Sequence, residues 1–139
     1  MAARRFTLDE AATLLPQLIG MLSKMQELKL EHDRVQGRVA ELELKTRSNG
    51  HEIAPGITEA REALQSAASE LNSLLEQVHA LGCEVKGIEE GLIDFRTELE
   101  GREVYLCWKL GEERIDWWHD MDTGFAGRQH LPARPDGQS

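Results

Sequence analysis

Aromatic residues make up only 5% of this 139-residue chain, which speaks against a large sandwich or barrel core. Two cysteines, Cys83 and Cys107, are too few for a disulfide scaffold or a four-sulfur zinc site. No apolar run approaches the ~20 residues of a membrane span. Asp9 and Glu10 follow Arg4 and Arg5, where a signal peptide would need its apolar stretch, so the expected location is the cytoplasm and no membrane partner is expected. Positive charge is in short supply: 16 Lys and Arg face 25 Asp and Glu, a net charge of −9. A nucleic-acid backbone would repel such a chain, so nucleic acid is not an expected partner either. The sequence also lacks a glycine-rich phosphate loop, a His-Glu-x-x-His helix and a Gly-x-Ser-x-Gly elbow. No metal or cofactor is expected.

What is present falls into two halves. Thr7 and Glu10 form a Thr-x-x-Glu capping box, with Phe6 placed as a hydrophobic staple. Leu14, Leu18, Met21, Met25, Leu28, His32, Val35, Val39 and Leu42 then recur in steps of four and three, a heptad seam. After Ser48-Asn49-Gly50 and Pro55-Gly56, a second seam runs from Ile57 through Leu64, Leu71 and Val78 to Leu81. Gly82 suits a left-handed helix cap. These features predict one helix over 7–47 and a second over 57–81, joined as a long antiparallel, coiled-coil-like hairpin. Helix one overhangs its partner by about fifteen residues, or ~22 Å, and there carries extra apolar residues at Leu15, Ile19 and Leu22. Pro16 removes one helical hydrogen bond and predicts a kink near Ala12.

From residue 83 to 119 the pattern has period two. Turns at Glu89-Glu90-Gly91, at Glu100-Gly101 and around Gly111 to Arg114 predict a four-stranded antiparallel meander, packed on the N-terminal part of helix one. The fold class is therefore α+β. Closing these turns pairs Val85 with Phe95, Phe95 with Leu106, Ile93 with Trp108, Leu110 with Ile115 and Trp108 with Trp117. Residues 120–131 read as an irregular loop that completes a single domain over 1–131, and 132–139 as a disordered tail.

In this register Asp94, Cys107 and Trp118 share the outer face with Lys86, Arg96 and Tyr105. His119 falls on the core face after Ile115 and Trp117, which excludes Asp94 as its partner and argues against a Cys107–His119 pair, as nucleophile and base or as metal ligands, unless the strand breaks before His119. The outer row of Asp94, Arg96, Tyr105, Cys107 and Trp118 is the candidate binding set; the same residues also suit plain cross-strand ion pairs shielded by an indole. Glu112, His119, Asp120, Asp122 and Arg128 form a looser second set around the final turn and loop, with Glu112, His119 and Arg128 as its candidates, and Phe125 is placed to tuck back onto the sheet. Cys107 is readable as a thiol nucleophile or as an inert buried thiol. His32 and His51 fit a helix seam and a loop, whereas His79 and His130 have no assignable partner.

Four blocks of residues resemble a known family. They are the run from Phe6 to Pro16, Gly91-Leu-Ile-Asp-Phe95, Tyr105-Leu-Cys-Trp-Lys-Leu-Gly-Glu112, and Trp118-His119 through Gly124-Phe-Ala-Gly-Arg128. Together they resemble a bacterial family of uncharacterised proteins, domain of unknown function 2203, across the chain to about Leu131. Arg96 stands where that pattern carries proline. The resemblance brings no catalytic residues; it implies that the blocks of the second half matter together, through Asp94, Cys107, Glu112, His119 and Arg128.

Two functions follow from these readings. The first is a non-enzymatic interaction or scaffold module, a homodimer or other homo-oligomer, motivated by Leu15, Leu30 and Leu44 lying off the main stripe and by a sheet with one covered face. The second is an enzyme or small-ligand binder using the outer sheet face around Asp94, Cys107 and Trp118.

Overall fold

Thr7 starts the first helix as its sequence predicts. Its hydroxyl accepts from the Glu10 N–H at 3.1 Å, and the Glu10 carboxylate accepts from the Thr7 N–H at 2.7 Å. The computed structural model describes residues 4–50 and 52–132; His51 and the expected tail beyond Pro132 lie outside the described residues. Helix α1 runs unbroken over Leu8–Ser48, passing through Pro16, and α2 spans Ile57–Ala80. Along α1 the buried residues are Ala11, Leu15, Leu18, Leu22, Met25, Leu28, Val35, Val39 and Leu42. The heptad seam thus holds from Met25 onward. In the overhang the buried face rotates from Leu14 and Met21 toward Ala11, Leu15 and Leu22, because the sheet rather than α2 lies opposite. No helix among the described residues is long and apolar enough to cross a membrane.

The second half forms a five-stranded antiparallel sheet in sequential order: β1 Glu84–Gly87, β2 Leu92–Leu99, β3 Arg102–Lys109, β4 Trp117–His119 and β5 Gln129–His130. The fifth strand and a short 3-10 turn at Phe125–Gly127 replace the irregular loop expected after His119. Phe6, Leu15, Leu18, Leu22 and Met25 pack with Ile93, Phe95, Leu106, Trp108 and Ile115 in one core, and Val78 and Cys83 close it from the α2 side. A second, distal core joins Val35, Val39 and Leu42 to Ala54, Ile57 and Ala60. The N-terminal segment is tied to the sheet by the Phe6 N–H, which donates to the Arg96 carbonyl at 2.7 Å, while its ring meets Phe95 edge-on.

The β2–β3 register is the predicted one, with Phe95 opposite Leu106 and Ile93 opposite Trp108. Glu100 and Gly101 both take positive φ, 52° and 77°, the conformation a two-residue hairpin needs. Between β1 and β2 the register differs by two: Val85 faces Ile93, and an irregularity before Gly87 takes up the slack. A shift of two preserves which face each side chain occupies.

The β3–β4 register differs by one, which reverses the faces of β4. Tyr105 lies opposite His119, Leu106 opposite Trp118, and Cys107 opposite Trp117. Trp118 therefore sits on the Leu106 side, where Arg102 stacks over its ring at 5.5 Å. Trp117 and His119 share the outer face with Cys107. The cause lies in the connection. Instead of a tight turn, residues 110–116 form a loop in which the Glu112 carboxylate accepts the Lys109 N–H at 2.8 Å and the Glu112 carbonyl accepts the Trp108 indole N–H at 3.0 Å. Ile115 enters the core from that loop rather than from a strand.

Candidate functional site

Strand alternation places Asp94, Tyr105, Cys107 and His119 together on the face turned away from the helices. This face is covered. Asp94 is 2% exposed, Cys107 1% and His119 1%, because the chain after β4 folds back across them. The staple for that segment is Arg128. Its guanidinium donates to both Glu112 carboxylate oxygens at 2.7 and 2.9 Å and to the Cys107 carbonyl at 3.3 Å. It also stacks over Trp117 at 4.8 Å and Phe125 at 4.7 Å. Glu112 and Arg128 thus hold the loop over the site rather than entering it.

Burial has joined residues that the alternation of β4, read as a tight hairpin, keeps apart. His119 Nε2 lies 2.9 Å from Asp94 Oδ2, and His119 Nδ1 lies 2.7 Å from the Asp120 carbonyl. A carbonyl oxygen can only accept, so Nδ1 carries a proton. The Nε2 atom and the Asp94 carboxyl then share the one proton between them. Burial pushes the Asp94 carboxyl up from its ordinary range, opposed by the neighbouring His119 and by Lys86. Asp94 Oδ1 is buried and has no hydrogen-bond partner among the described residues. The Cys107 thiol stands beside the same carboxylate; burial and that negative charge push it up to about 12. It is a protonated thiol at neutral pH, the reverse of an activated nucleophile.

Above this floor lies a cleft of about 370 Å³, walled by Lys86, Leu92, Tyr105, Met121, Asp122, Gly124 and Phe125. Lys86 is held over the Tyr105 ring at 4.8 Å and pairs with Glu84 at 3.0 Å. Arg96 is fully engaged at the rim: it bridges Glu84 at 3.3 Å and Glu103 at 2.7 Å, and Tyr105 donates its hydroxyl to Glu84 at 2.9 Å. Of the outer-face residues read from sequence, Asp94, Tyr105 and Cys107 therefore line the cleft. Arg96 stands beside it, and Trp118 points to the other side of the sheet. Of the other wall residues, Asp122 comes from the looser second set and Phe125 folds back over the sheet, whereas Met121 was missed. His130 does have a partner, stacking on Trp117 at 4.0 Å. A larger hollow of about 620 Å³ beside Phe6, Leu8, Thr97 and Leu131 holds no buried titratable side chain.

Asp94, Cys107 and His119 each present one ligand-type atom, and these atoms lie within 4.8 Å of one another. Oxygen, sulfur and imidazole nitrogen converging in a buried spot is a donor set capable of holding a metal ion.

Residues 4–131 match the family described as Uncharacterized conserved protein (DUF2203). The chain belongs to the DUF2203 family. No curated protein and no solved structure matches it. In this DUF2203 protein the three motif blocks of the second half meet at the cleft. Asp94 comes from the first, Tyr105 and Cys107 from the second, and His119, Gly124 and Phe125 from the third.

Proposed function

We propose that this DUF2203 protein binds a small polar molecule in the cleft over Asp94 and His119, and that the pair handles a proton of that molecule. The supporting observation is the bare Asp94 Oδ1 atom beneath a 370 Å³ cleft. Leaving a buried acceptor unpaired costs about 1–3 kcal/mol, a cost that a bound ligand would remove. A ligand hydroxyl, amide or amine N–H would satisfy Oδ1. The other oxygen shares its proton with His119 Nε2, whose ring is locked by the Asp120 carbonyl. The carboxylate can then take up a proton, or the pair can give up the one it shares. Lys86 and Asp122 offer opposite charges at the walls, and Phe125 and Leu92 offer apolar contact.

Backbone-assigned NMR of the full chain, titrated with a panel of small diols, hydroxy acids, amides and amines, tests this reading. Saturable shifts are expected at Asp94, Cys107, His119 and Phe125 for at least one compound class, and weaker ones in Asp94→Asn. A panel that moves none of these signals refutes it.

A second reading, a homodimer through the distal hairpin, is supported by Leu30, Leu44 and Ile53, which are 73%, 57% and 76% exposed. Light scattering that returns a monomer mass at micromolar concentration would remove it.

A further inference from the structure

We infer that Asp94, Cys107 and His119 form a divalent transition-metal site of the zinc type, with three protein ligands and a fourth position opening into the cleft. The open position rests on the cleft being the functional site; the three ligands do not depend on it. The metal takes the place of the proton that Nε2 and Asp94 share at 2.9 Å and displaces the Cys107 thiol proton, so proton handling by the pair belongs to the metal-free chain.

Four observations carry this. The donor atoms come from three adjacent strands, β2, β3 and β4, so the hydrogen-bonded ladder sets their spacing. Asp94 sits directly opposite Cys107, and His119 sits opposite Tyr105, two residues along β3. All three residues are buried, unlike the exposed acidic clusters that solvent satisfies. The His119 ring is oriented as a metal ligand's second shell orients it: Nδ1–H on a backbone carbonyl at 2.7 Å, which directs the Nε2 lone pair inward. Finally, Asp94 Oδ1 has no hydrogen-bond partner among the described residues, so nothing there holds the carboxylate against turning either oxygen toward an ion.

The dimensions fit. A tetrahedral centre with bonds of about 2.0–2.3 Å has ligand–ligand edges of roughly 3.3–3.6 Å. The Nε2 to Oδ2 separation of 2.9 Å must open by a few tenths of an ångström. No other edge exceeds 4.8 Å, so closure by about 1 Å, within reach of side-chain torsions, completes the site. One thiolate, one imidazole and one carboxylate suit zinc or cobalt rather than magnesium or calcium, which prefer oxygen alone.

The test uses the full chain stripped with chelator and titrated with cobalt(II), followed by zinc displacement. One cobalt per chain is expected, with tetrahedral visible bands and a near-ultraviolet thiolate-to-cobalt charge-transfer band that zinc abolishes. Cys107→Ser should lose the charge-transfer band while keeping its helical circular dichroism. Asp94→Asn should weaken cobalt binding by at least about tenfold, and it keeps the test open should Cys107→Ser fail to fold. No thiolate band at millimolar cobalt, or a band that survives Cys107→Ser, overturns the inference. Azide added to the cobalt form should alter the visible bands; an unmoved spectrum overturns the open position. Compounds that still shift the cleft signals of a chain unable to bind cobalt would sink the metal site alone and leave the cleft standing.

Discussion

Asp94→Asn and His119→Phe, compared in chelator-treated protein, should have opposite effects on stability. Asp94→Asn keeps the shape and removes the charge. Its amide can donate to His119 Nε2 where the carboxyl now sits at 2.9 Å, and an amide oxygen costs less to leave bare than a carboxylate oxygen. Because burial raises the Asp94 carboxyl, the fold favours the neutral acid. That contribution to stability is complete below the ordinary value of 3.8 and is lost as the pH climbs through the folded value. The native chain gives up that contribution as the carboxyl ionises, while the asparagine variant has nothing to lose. Relief of about 1–3 kcal/mol at the unpaired oxygen, less about 1 kcal/mol for a weaker bond to the ring, predicts a net gain near 1 kcal/mol. In a chain of this size that raises Tm by roughly 3–4 °C. His119→Phe fills the ring's volume but leaves Asp94 buried without a partner, a loss of about 3–5 kcal/mol and roughly 10–18 °C. The gap between the variants should shrink at pH 3, where the carboxyl is neutral in both folded and unfolded chains. Urea and thermal unfolding at pH 3 and pH 7 measure it. If Asp94→Asn loses more than about 1 kcal/mol at pH 7, or His119→Phe costs no more than Asp94→Asn, the reasoning fails.

Both thiols are held high, Cys83 at about 11 and Cys107 at about 12 against 9.0. Chelated protein should therefore lose stability above pH 9, by about 1.4 kcal/mol per pH unit for each thiol; Cys107→Ala should halve the slope seen in urea melts. The same burial predicts slow labelling of native Cys107 by a thiol reagent at pH 8, and an alkylation rate with a midpoint near 8.5 would contradict it. Phe6→Ala, at a side chain 2% exposed against Phe95, should cost about 3–5 kcal/mol. The exposed control Leu30→Ala should stay within about 0.5 kcal/mol. Gly91→Ala combines a φ of +70° with a new Cβ 2.6 Å from Leu110 Cβ and should cost about 2–4 kcal/mol. Gly101→Ala, with φ +77° and open space, should cost only about 1–2 kcal/mol in the same denaturant series.

The features legible in the sequence are those set by neighbours along the chain. The capping box at Thr7 and Glu10, the seam through Leu18, Met25 and Val35, and the hairpins at Gly91 and Gly101 each depend on residues a few positions apart. Steric and hydrogen-bonding rules act locally at that range, so the helices, the β2–β3 register and the family pattern could all be read. Burial of the outer face could not. It depends on Arg128 reaching Glu112, sixteen positions back, and so folding residues 120–128 across a sheet face that alternation alone leaves in water. The register of β4 failed for a related reason. Leu110 and Ile115 continue the apolar alternation as a tight hairpin would, but the Glu112 side chain stabilises a longer loop, and one residue of slack exchanges the two faces. That single step brings His119 to Asp94 and Cys107 and sends Trp118 to the opposite side. The sequence alone determined the two helices, the first four strands and their order. The tertiary structure alone decided which titratable groups share a buried space, because long-range closure of a loop sets that, and local preference does not encode it.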